Sequence, residues 1–266
     1  MYKSIKCLIY KNKWNIKQVL NSNKMSDKIL IVGIPLYQNC TLMDFAGATQ
    51  VFNTPFGFNA IWISNDEKIV TTEGVTVVPN YNFENCPPID ILFIPGGGTQ
   101  SSIVAPLTGV PAAMQNKDLL NFITKTAITA QWKGSVCTGA FILAAAGILK
   151  DTRATTYWSQ IPTLGLLAPK LNLSIPKGYP RFLFDKKNKI FTGGGISSSL
   201  DLALEIVLKI KGKETAQKTQ LFIQYQPNPS ISSGDPTHAP KKITSELREA
   251  GVTFTEIMIQ AVEKLL

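Results

Sequence analysis

Cys137 lies where the sequence could form a nucleophile. A short strand pattern over residues 134–137 runs into a turn of small residues, 138–140, and an apolar helix follows over residues 141–149. A strand, a sharp turn and a helix, with the nucleophile in the turn, form a nucleophile elbow, which reads S-V-C-T-G here instead of G-x-S-x-G. The small residues would let the chain turn tightly and let a substrate approach the backbone.

The thiol of Cys137 would lie at a surface-reachable turn, beside the unpaired N–H groups and the positive end of a helix dipole. Both favour the thiolate, so we expect the pKa of this thiol to fall below its ordinary value of about 8.5. The alternative is a buried structural cysteine, because free cysteines are among the most buried residues. The elbow context favours the nucleophile.

Asp44 is the candidate partner that would move protons for the thiol. It follows the first predicted strand by about one helical turn, between apolar neighbours. The carboxyl ends of strands gather at one edge of a doubly wound sheet, so Asp44, the turn at residues 96–98 and Cys137 are expected to meet there. The alternative for Asp44 is a solvated carboxylate at a helix start. The single histidine, His238, lies in a Pro-rich loop, and we do not favour a Cys–His pair.

Two triple-glycine turns follow predicted strands. The turn at residues 96–98 could offer backbone N–H groups to a phosphate or to a developing negative charge. It is not a G-x-G-x-x-G motif, and no P-loop lysine follows it. For the second turn, residues 193–195, close packing is the favoured role.

Apolar periodicity predicts the elements that would position these residues. Nearly continuous apolar runs indicate strands buried on both faces, and alternation of strands with helices predicts one α/β domain with a mostly parallel sheet. The predicted strands are residues 28–36, 59–64, 68–72, 74–79, 90–95 and a hairpin over 181–192, with a strand or turn at 154–158. The first predicted helix begins at Leu42 and ends near residues 53–55. The other predicted helices are residues 117–130, 141–149, 159–167, 196–211, 214–225 and 241–266, with a loop at 227–240.

Charge and cysteine usage limit the class of protein. Residues 1–24 hold six lysines and no acid, so they carry two-thirds of the net charge of +9, and a nucleic-acid partner is poorly supported. Four scattered cysteines without metal-ligand spacing predict free thiols in a reducing compartment, the cytoplasm. No run of about 18 apolar residues exists, so we expect no membrane association.

The first 24 residues are interpreted separately from the domain. They lack the apolar region of a signal peptide and the arginines of most transit peptides. We interpret residues 1–24 as a disordered leader or the product of an upstream start codon. Residues 25–266 are predicted to be a single domain.

These motifs resemble the DJ-1/PfpI superfamily, and within it the isonitrile (isocyanide) hydratases. The resemblance extends from about residue 28 to the C terminus, and amidase-like sensor domains of AraC-type transcription regulators share many of the motifs. The matching segments are L-M-D-F-A-G, C-P-P-I-D-I-L-F-I-P-G-G-G, V-C-T-G-A-F-I-L-A-A-A-G-I-L-K, R-A-T-T-Y-W, I-F-T-G-G-G-I-S-S-S-L-D-L-A-L and G-D-P-T-H-A-P.

The resemblance implies a flavodoxin-like three-layer α/β sandwich and a homodimer with active sites near the interface. The implied reaction hydrates an organic isonitrile to an N-substituted formamide, without metal or organic cofactor. Cys137 matches the nucleophile, and Asp44 matches the acid–base residue, where many other members have Glu. Thr138 matches the residue after the nucleophile, and the backbone N–H groups of Gly97 and Thr138 would orient the substrate and stabilise charge.

One departure and two alternatives accompany this resemblance. Tyr157 replaces the histidine of the usual A-T-T-H-W segment, which weakens a triad-type protease or amidase interpretation. The first alternative is a non-catalytic sensor domain, but a regulator would need about a hundred further residues for its DNA-binding region. The second is another superfamily activity, of the glyoxalase, deglycase or hydrolase type, against which Asp instead of Glu at position 44 argues.

Overall fold

A computed structural model describes residues 28–98 and 106–266. The predicted leader at residues 1–24 lies outside this range. Within it the strands are β1 (Leu30–Pro35), β2 (Phe58–Ile63), β3 (Ile69–Val70), β4 (Thr76–Val77), β5 (Ile91–Ile94), β6 (Trp132–Ser135), β7 (Phe182–Asp185) and β8 (Ile190–Gly193). The helices are α1 (Leu42–Phe52), α2 (Gly109–Ala113), α3 (Lys117–Thr129), α4 (Gly139–Ala145), α5 (Ile161–Gly165), α6 (Ala168–Leu171), α7 (Ser198–Phe222), α8 (Lys241–Ala250) and α9 (Val252–Glu263).

The main sheet has six strands in the order β2-β1-β5-β6-β8-β7. Every pairing is parallel except that of β7 with β8, which forms the predicted antiparallel hairpin. All four residues of β5 and of β8 are buried, as the continuous apolar sequence of β5 predicts for a strand covered on both faces. The prediction of an α/β fold with a mostly parallel sheet is therefore confirmed.

Helices cover the sheet as the outer layers of the sandwich. α1 packs along α7, while α3 and α4 pack on β5 and β6. The α1–α7 contact is close because Gly47 lacks a side chain: a Cβ there would lie 2.5 Å from Ser199 Oγ. The Ser199 hydroxyl in turn donates to the Met43 carbonyl at 3.0 Å, which joins the beginnings of the two helices.

Several element boundaries differ from the predictions. The helix after Cys137 begins at Gly139 and ends at Ala145, and the short helix α2 was not predicted. The two helices predicted over residues 196–225 are confirmed as two parts of α7, because Gly212, with a non-helical φ of 83°, interrupts α7 at the predicted break. Residues 154–158 form no regular strand, and a 3₁₀ turn follows at Trp158–Gln160.

The C-terminal helix α9 packs on helices that precede it in the chain. One face of α9 is buried, through Ile257, Met258, Ala261 and Val262, and it packs on α5 and α2. The Gln160 side-chain amide donates to Thr255 Oγ1 at 2.9 Å, which connects α9 to the segment after the elbow. Among the described helices none is long and apolar enough to span a bilayer.

Candidate active site

The elbow places Cys137 in a strained backbone conformation. Its φ of 55° lies in the left-handed region, which costs a residue other than glycine about 1 kcal/mol or more. Two hydrogen bonds hold this conformation: Cys137 N–H donates to Gly194 O at 2.7 Å, and Thr156 Oγ1 donates to Cys137 O at 2.8 Å. Gly139 allows the turn to approach β5, because a Cβ there would lie 2.6 Å from Ile94 O.

Asp44 lies in the first turn of α1 and is fully buried. Its Oδ2 accepts a hydrogen bond from Gly96 N–H at 2.8 Å, whereas no N–H or O–H of the described residues reaches Oδ1. Burial raises the pKa of this carboxyl from 3.8 to about 8; hydrogen bonds from Gly96 and from the Cys137 thiol oppose the rise, and the charge of Glu73 adds to it. At neutral pH Asp44 therefore holds its proton and can act as an acid.

The structure corrects the prediction for the Cys137 thiol. The residue is only 6 % exposed, so the turn does not present it at the surface. Burial raises the pKa of the thiol well above its ordinary value, and the negative charge of Asp44 raises it further, although the N–H and hydroxyl of Thr138 oppose both effects. The effect of desolvation on this pKa outweighs that of the N-terminal end of α4, a helix of seven residues. The predicted fall in the pKa was wrong.

The first glycine turn brings Cys137 and Asp44 together. A Cβ on Gly96 would lie 2.6 Å from Thr138 N, 2.7 Å from Thr138 Oγ1 and 2.8 Å from Asp44 Oδ2. Only glycine therefore allows the elbow and α1 to approach the same backbone unit. The predicted edge of the sheet thus does collect Asp44, Gly96 and Cys137.

The backbone N–H of Gly97 does not have the role predicted for it. Its N–H donates to Thr138 Oγ1 at 3.0 Å, and Thr138 Oγ1 lies 3.1 Å from Gly97 O as a donor. The N–H is therefore not open to a substrate, contrary to the prediction. The hydrogen-bonding groups that act on the Cys137 sulfur are instead the N–H and hydroxyl of Thr138.

A buried layer beneath this site, formed by Tyr37 and Cys40, was not predicted from the sequence. The Tyr37 hydroxyl donates to Pro95 O at 2.9 Å, directly before the glycine turn. Burial raises the pKa of Tyr37, as do Cys40, Asp44 and Cys137. Burial likewise raises the pKa of Cys40 to about 12. The position of Tyr37 directly after the first strand was the available signal.

Tyr157 lies beside the elbow. Its ring covers Gly195, where a Cβ would be 2.9 Å from Tyr157 Cδ2, and it packs edge-on against Trp158. Burial raises the pKa of the Tyr157 phenol, and Cys137 raises it further, while a hydrogen bond from Trp158 opposes them. The phenol thus lies within electrostatic range of the nucleophile.

His238 is not part of this site. It is exposed in the Pro-rich loop, where its backbone N–H donates to Asp235 O at 2.9 Å. No contact that the structure describes joins His238 to Cys137. Among the described residues no cluster of His, Cys, Asp or Glu could hold a metal ion, and Cys40, Cys86 and Cys137 are free thiols.

Comparisons with known proteins find related sequences and structures. The model of the DJ-1/PfpI family matches residues 28–209. Isonitrile hydratase of Pseudomonas putida is 31% identical over 239 residues, which cover 88% of this chain and 96% of that protein. A solved THiJ/PfpI family protein from Pseudomonas syringae superposes with a TM-score of 0.77 at 26% identity, covering 91% of this chain and 98% of that one.

Transcription regulators share the fold at lower similarity. The HTH-type transcriptional regulator GbdR of Pseudomonas aeruginosa is 25% identical over 201 residues, covering 72% of this chain but 50% of the regulator. A solved AraC family transcriptional regulator from Pseudomonas putida superposes with a TM-score of 0.56 at 19% identity, over 73% of this chain and 99% of that one.

Proposed function

The chain belongs to the DJ-1/PfpI family, and from that premise we propose that it hydrates an organic isonitrile, R–N≡C, to an N-substituted formamide. One observation carries the proposal: a buried thiol, Cys137, interacts with a buried carboxyl, Asp44, whose raised pKa keeps it protonated at neutral pH. This pair supplies a nucleophile and a proton to one carbon atom, as addition to an isonitrile requires.

In the first step the Cys137 sulfur bonds to the terminal carbon of the isonitrile, and the C≡N triple bond becomes a double bond. The carboxyl proton of Asp44 moves to that carbon, and the carboxylate takes the thiol proton in exchange. The product is the thioimidate R–N=CH–S–Cys. Because the proton exchange accompanies bond formation, the step needs no thiolate formed beforehand. The raised pKa of the thiol is thus compatible with its role.

In the second step water bonds to the thioimidate carbon, and one of its protons ends on nitrogen. The C–S bond then breaks, the remaining hydroxyl proton passes to sulfur, and the formamide R–NH–CHO leaves. Thr138 is proposed to stabilise negative charge on sulfur in both steps, through its N–H. The pair returns to its starting protonation, and the atoms of one water molecule are consumed.

The assay that tests this proposal measures formamide production from a simple alkyl isonitrile. We expect turnover by the wild type, none by Cys137→Ala, and turnover by Cys40→Ala, which removes a second buried thiol from the layer beneath the site. Turnover by Cys137→Ala would refute the mechanism. An inactive wild type with a thiol that reacts readily would refute the substrate class.

A non-catalytic ligand-binding role is the second candidate, because the chain also matches transcription regulators. In that case an isonitrile or related ligand would raise the thermal midpoint without forming product. The predicted homodimer, cytoplasmic location and small-molecule partner are parts of the same proposal. Light scattering tests the dimer, and a chain starting at Met25 tests whether residues 1–24 are dispensable for folding and turnover.

A further inference from the structure

The small β3–β4 hairpin lies against the loop that precedes the acid. Its turn residue Thr72 donates through N–H to Cys40 O at 3.1 Å and through Oγ1 to Asn39 O at 2.8 Å. Gly98 N–H donates to Thr72 Oγ1 at 3.2 Å. The hairpin therefore joins the loop between β1 and α1 to the glycine turn after β5.

The next residue of this turn, Glu73, caps the helix that carries Asp44. Its Oε2 accepts a hydrogen bond from Leu42 N–H, the first residue of α1, at 2.9 Å. The N-cap residue Thr41 makes no side-chain capping bond, so the acceptor comes from another element of the chain. Asp44 follows two residues later in the same turn, so two carboxyl groups share one helix end.

The titratable groups that interact with Asp44 come from three elements. Cys137 belongs to the elbow, Tyr37 and Cys40 to the loop after β1, and Glu73 to the hairpin. Tyr37, Cys40 and Cys137 all have raised pKa values and are neutral at neutral pH. Among these groups Glu73 alone is exposed to water and carries charge.

We propose that Glu73 is a positioning residue for Asp44, which fixes the first turn of α1 and, through its negative charge, favours the protonated acid. This inference rests on the proposed function, in which Asp44 donates its proton. The two parts of the role are separable. Glu73→Gln keeps an oxygen that can accept from Leu42 N–H and removes only the charge, whereas Glu73→Ala removes both.

The charge should act on the pH dependence of turnover. Activity that needs protonated Asp44 falls as pH rises through the pKa of the carboxyl, about 8. Without the charge at position 73 this limb should move to lower pH by about 0.2 to 0.7 units, the size expected for an exposed charge. At pH 6 the Gln variant should match the wild type, and higher salt should reduce the difference.

The test combines this pH–rate profile with a titration of Asp44 by carboxyl ¹³C NMR, assigned with Asp44→Asn. The matched control is Asp66→Asn, because Asp66 also accepts a hydrogen bond near the start of the hairpin, from Gln38 Nε2 at 2.9 Å. We expect Glu73→Gln to lower the midpoint, Glu73→Ala to lower it and also reduce kcat at pH 6, and Asp66→Asn to leave both unchanged.

Two results would overturn the inference: an Asp44 midpoint unchanged in Glu73→Gln, or an equal shift in Asp66→Asn. The NMR titration needs no isonitrile. A protein that lacks hydratase activity would therefore refute the proposed function while still deciding the role of Glu73.

Discussion

The nucleophile elbow (residues 134–139) and the acid turn (residues 37–44) reach the same site in different ways. The shape of the elbow comes from its own residues, left-handed Cys137 and small Gly139, and distant Gly194 and Thr156 only hold it by hydrogen bonds. The acid turn depends on distant residues, because Gly96 fixes the carboxyl and Glu73 caps the helix. Burial raises the pKa values of Cys137 and Asp44, so packing affects the protonation of each side chain more than the nearby helix end does.

The largest expected effect comes from removing the carboxyl group of Asp44 in the acid turn. Asp44→Asn keeps the shape, and its side-chain oxygen can still accept from Gly96 N–H, but it cannot donate a proton to carbon. Catalysis should fall by about 10²- to 10⁴-fold in single-turnover formamide production. Thiol alkylation measured in parallel shows whether Cys137 remains intact. Near-normal rates would remove Asp44 from the chemistry and leave the elbow to act alone.

A second variant separates the two regions without removing a functional group. The Cβ introduced by Gly96→Ala would lie within 3 Å of both Thr138 and Asp44, so the elbow and the acid turn must move apart. Displacements of about 1 Å can cost about 10²-fold, and we expect a loss of that order in kcat. Gly165→Ala is the control, because a Cβ at that position meets nothing within 4 Å. Equal activity of the two variants would show that the approach is not needed.

A smaller effect is expected from the aromatic neighbour of the elbow. Tyr157→Phe keeps the ring contacts with Gly195 and Trp158 and removes the hydroxyl near Cys137. We expect turnover to fall by about 3- to 10-fold, the size of one neutral hydrogen bond. Tyr179→Phe serves as control, since the Tyr179 hydroxyl instead accepts from Arg248 at 3.3 Å. A larger loss in Tyr179→Phe than in Tyr157→Phe would contradict a role at the nucleophile.

The sequence predicted what depends on neighbours along the chain. Continuous apolar runs predicted the buried strands, and the small residues around Cys137 predicted the elbow, because both follow from local steric and periodic rules. The carboxyl ends of parallel strands gather at one edge of a sheet, and this rule placed Asp44 at the correct edge. Each of these predictions requires only the order of elements.

What the sequence could not predict is how deeply these groups are buried and which distant groups they meet. The fall expected for the pKa of Cys137 assumed an accessible helix end, whereas desolvation has the opposite sign and is larger. The N–H of Gly97 was expected to be open, but Thr138, 41 residues away, occupies it. Glu73 and Tyr37 were missed for the same reason, since their contacts with the site join separate elements.

The last prediction concerns stability instead of activity, and it follows the acid turn as the pH changes. Because the pKa of Asp44 is about 8 in the folded protein against an ordinary 3.8, the folded state holds a proton that the unfolded chain releases between these values. The free energy of unfolding should therefore decrease as pH rises from about 4 to about 8, by at most about 1.4 kcal/mol per pH unit. Asp44→Asn cannot bind this proton, so its stability should lack this contribution.

The measurement is denaturant unfolding of the wild type and of Asp44→Asn at pH 5, 6, 7 and 8. The difference between the two curves isolates Asp44, because the lowered pKa values of Asp185 and Asp235 act only at more acidic pH. We expect the variant to gain stability relative to the wild type as pH rises. Parallel curves would show that the carboxyl is ionised at neutral pH. The elbow would then face a permanent negative charge, and Asp44 could act on the thiol only as a base.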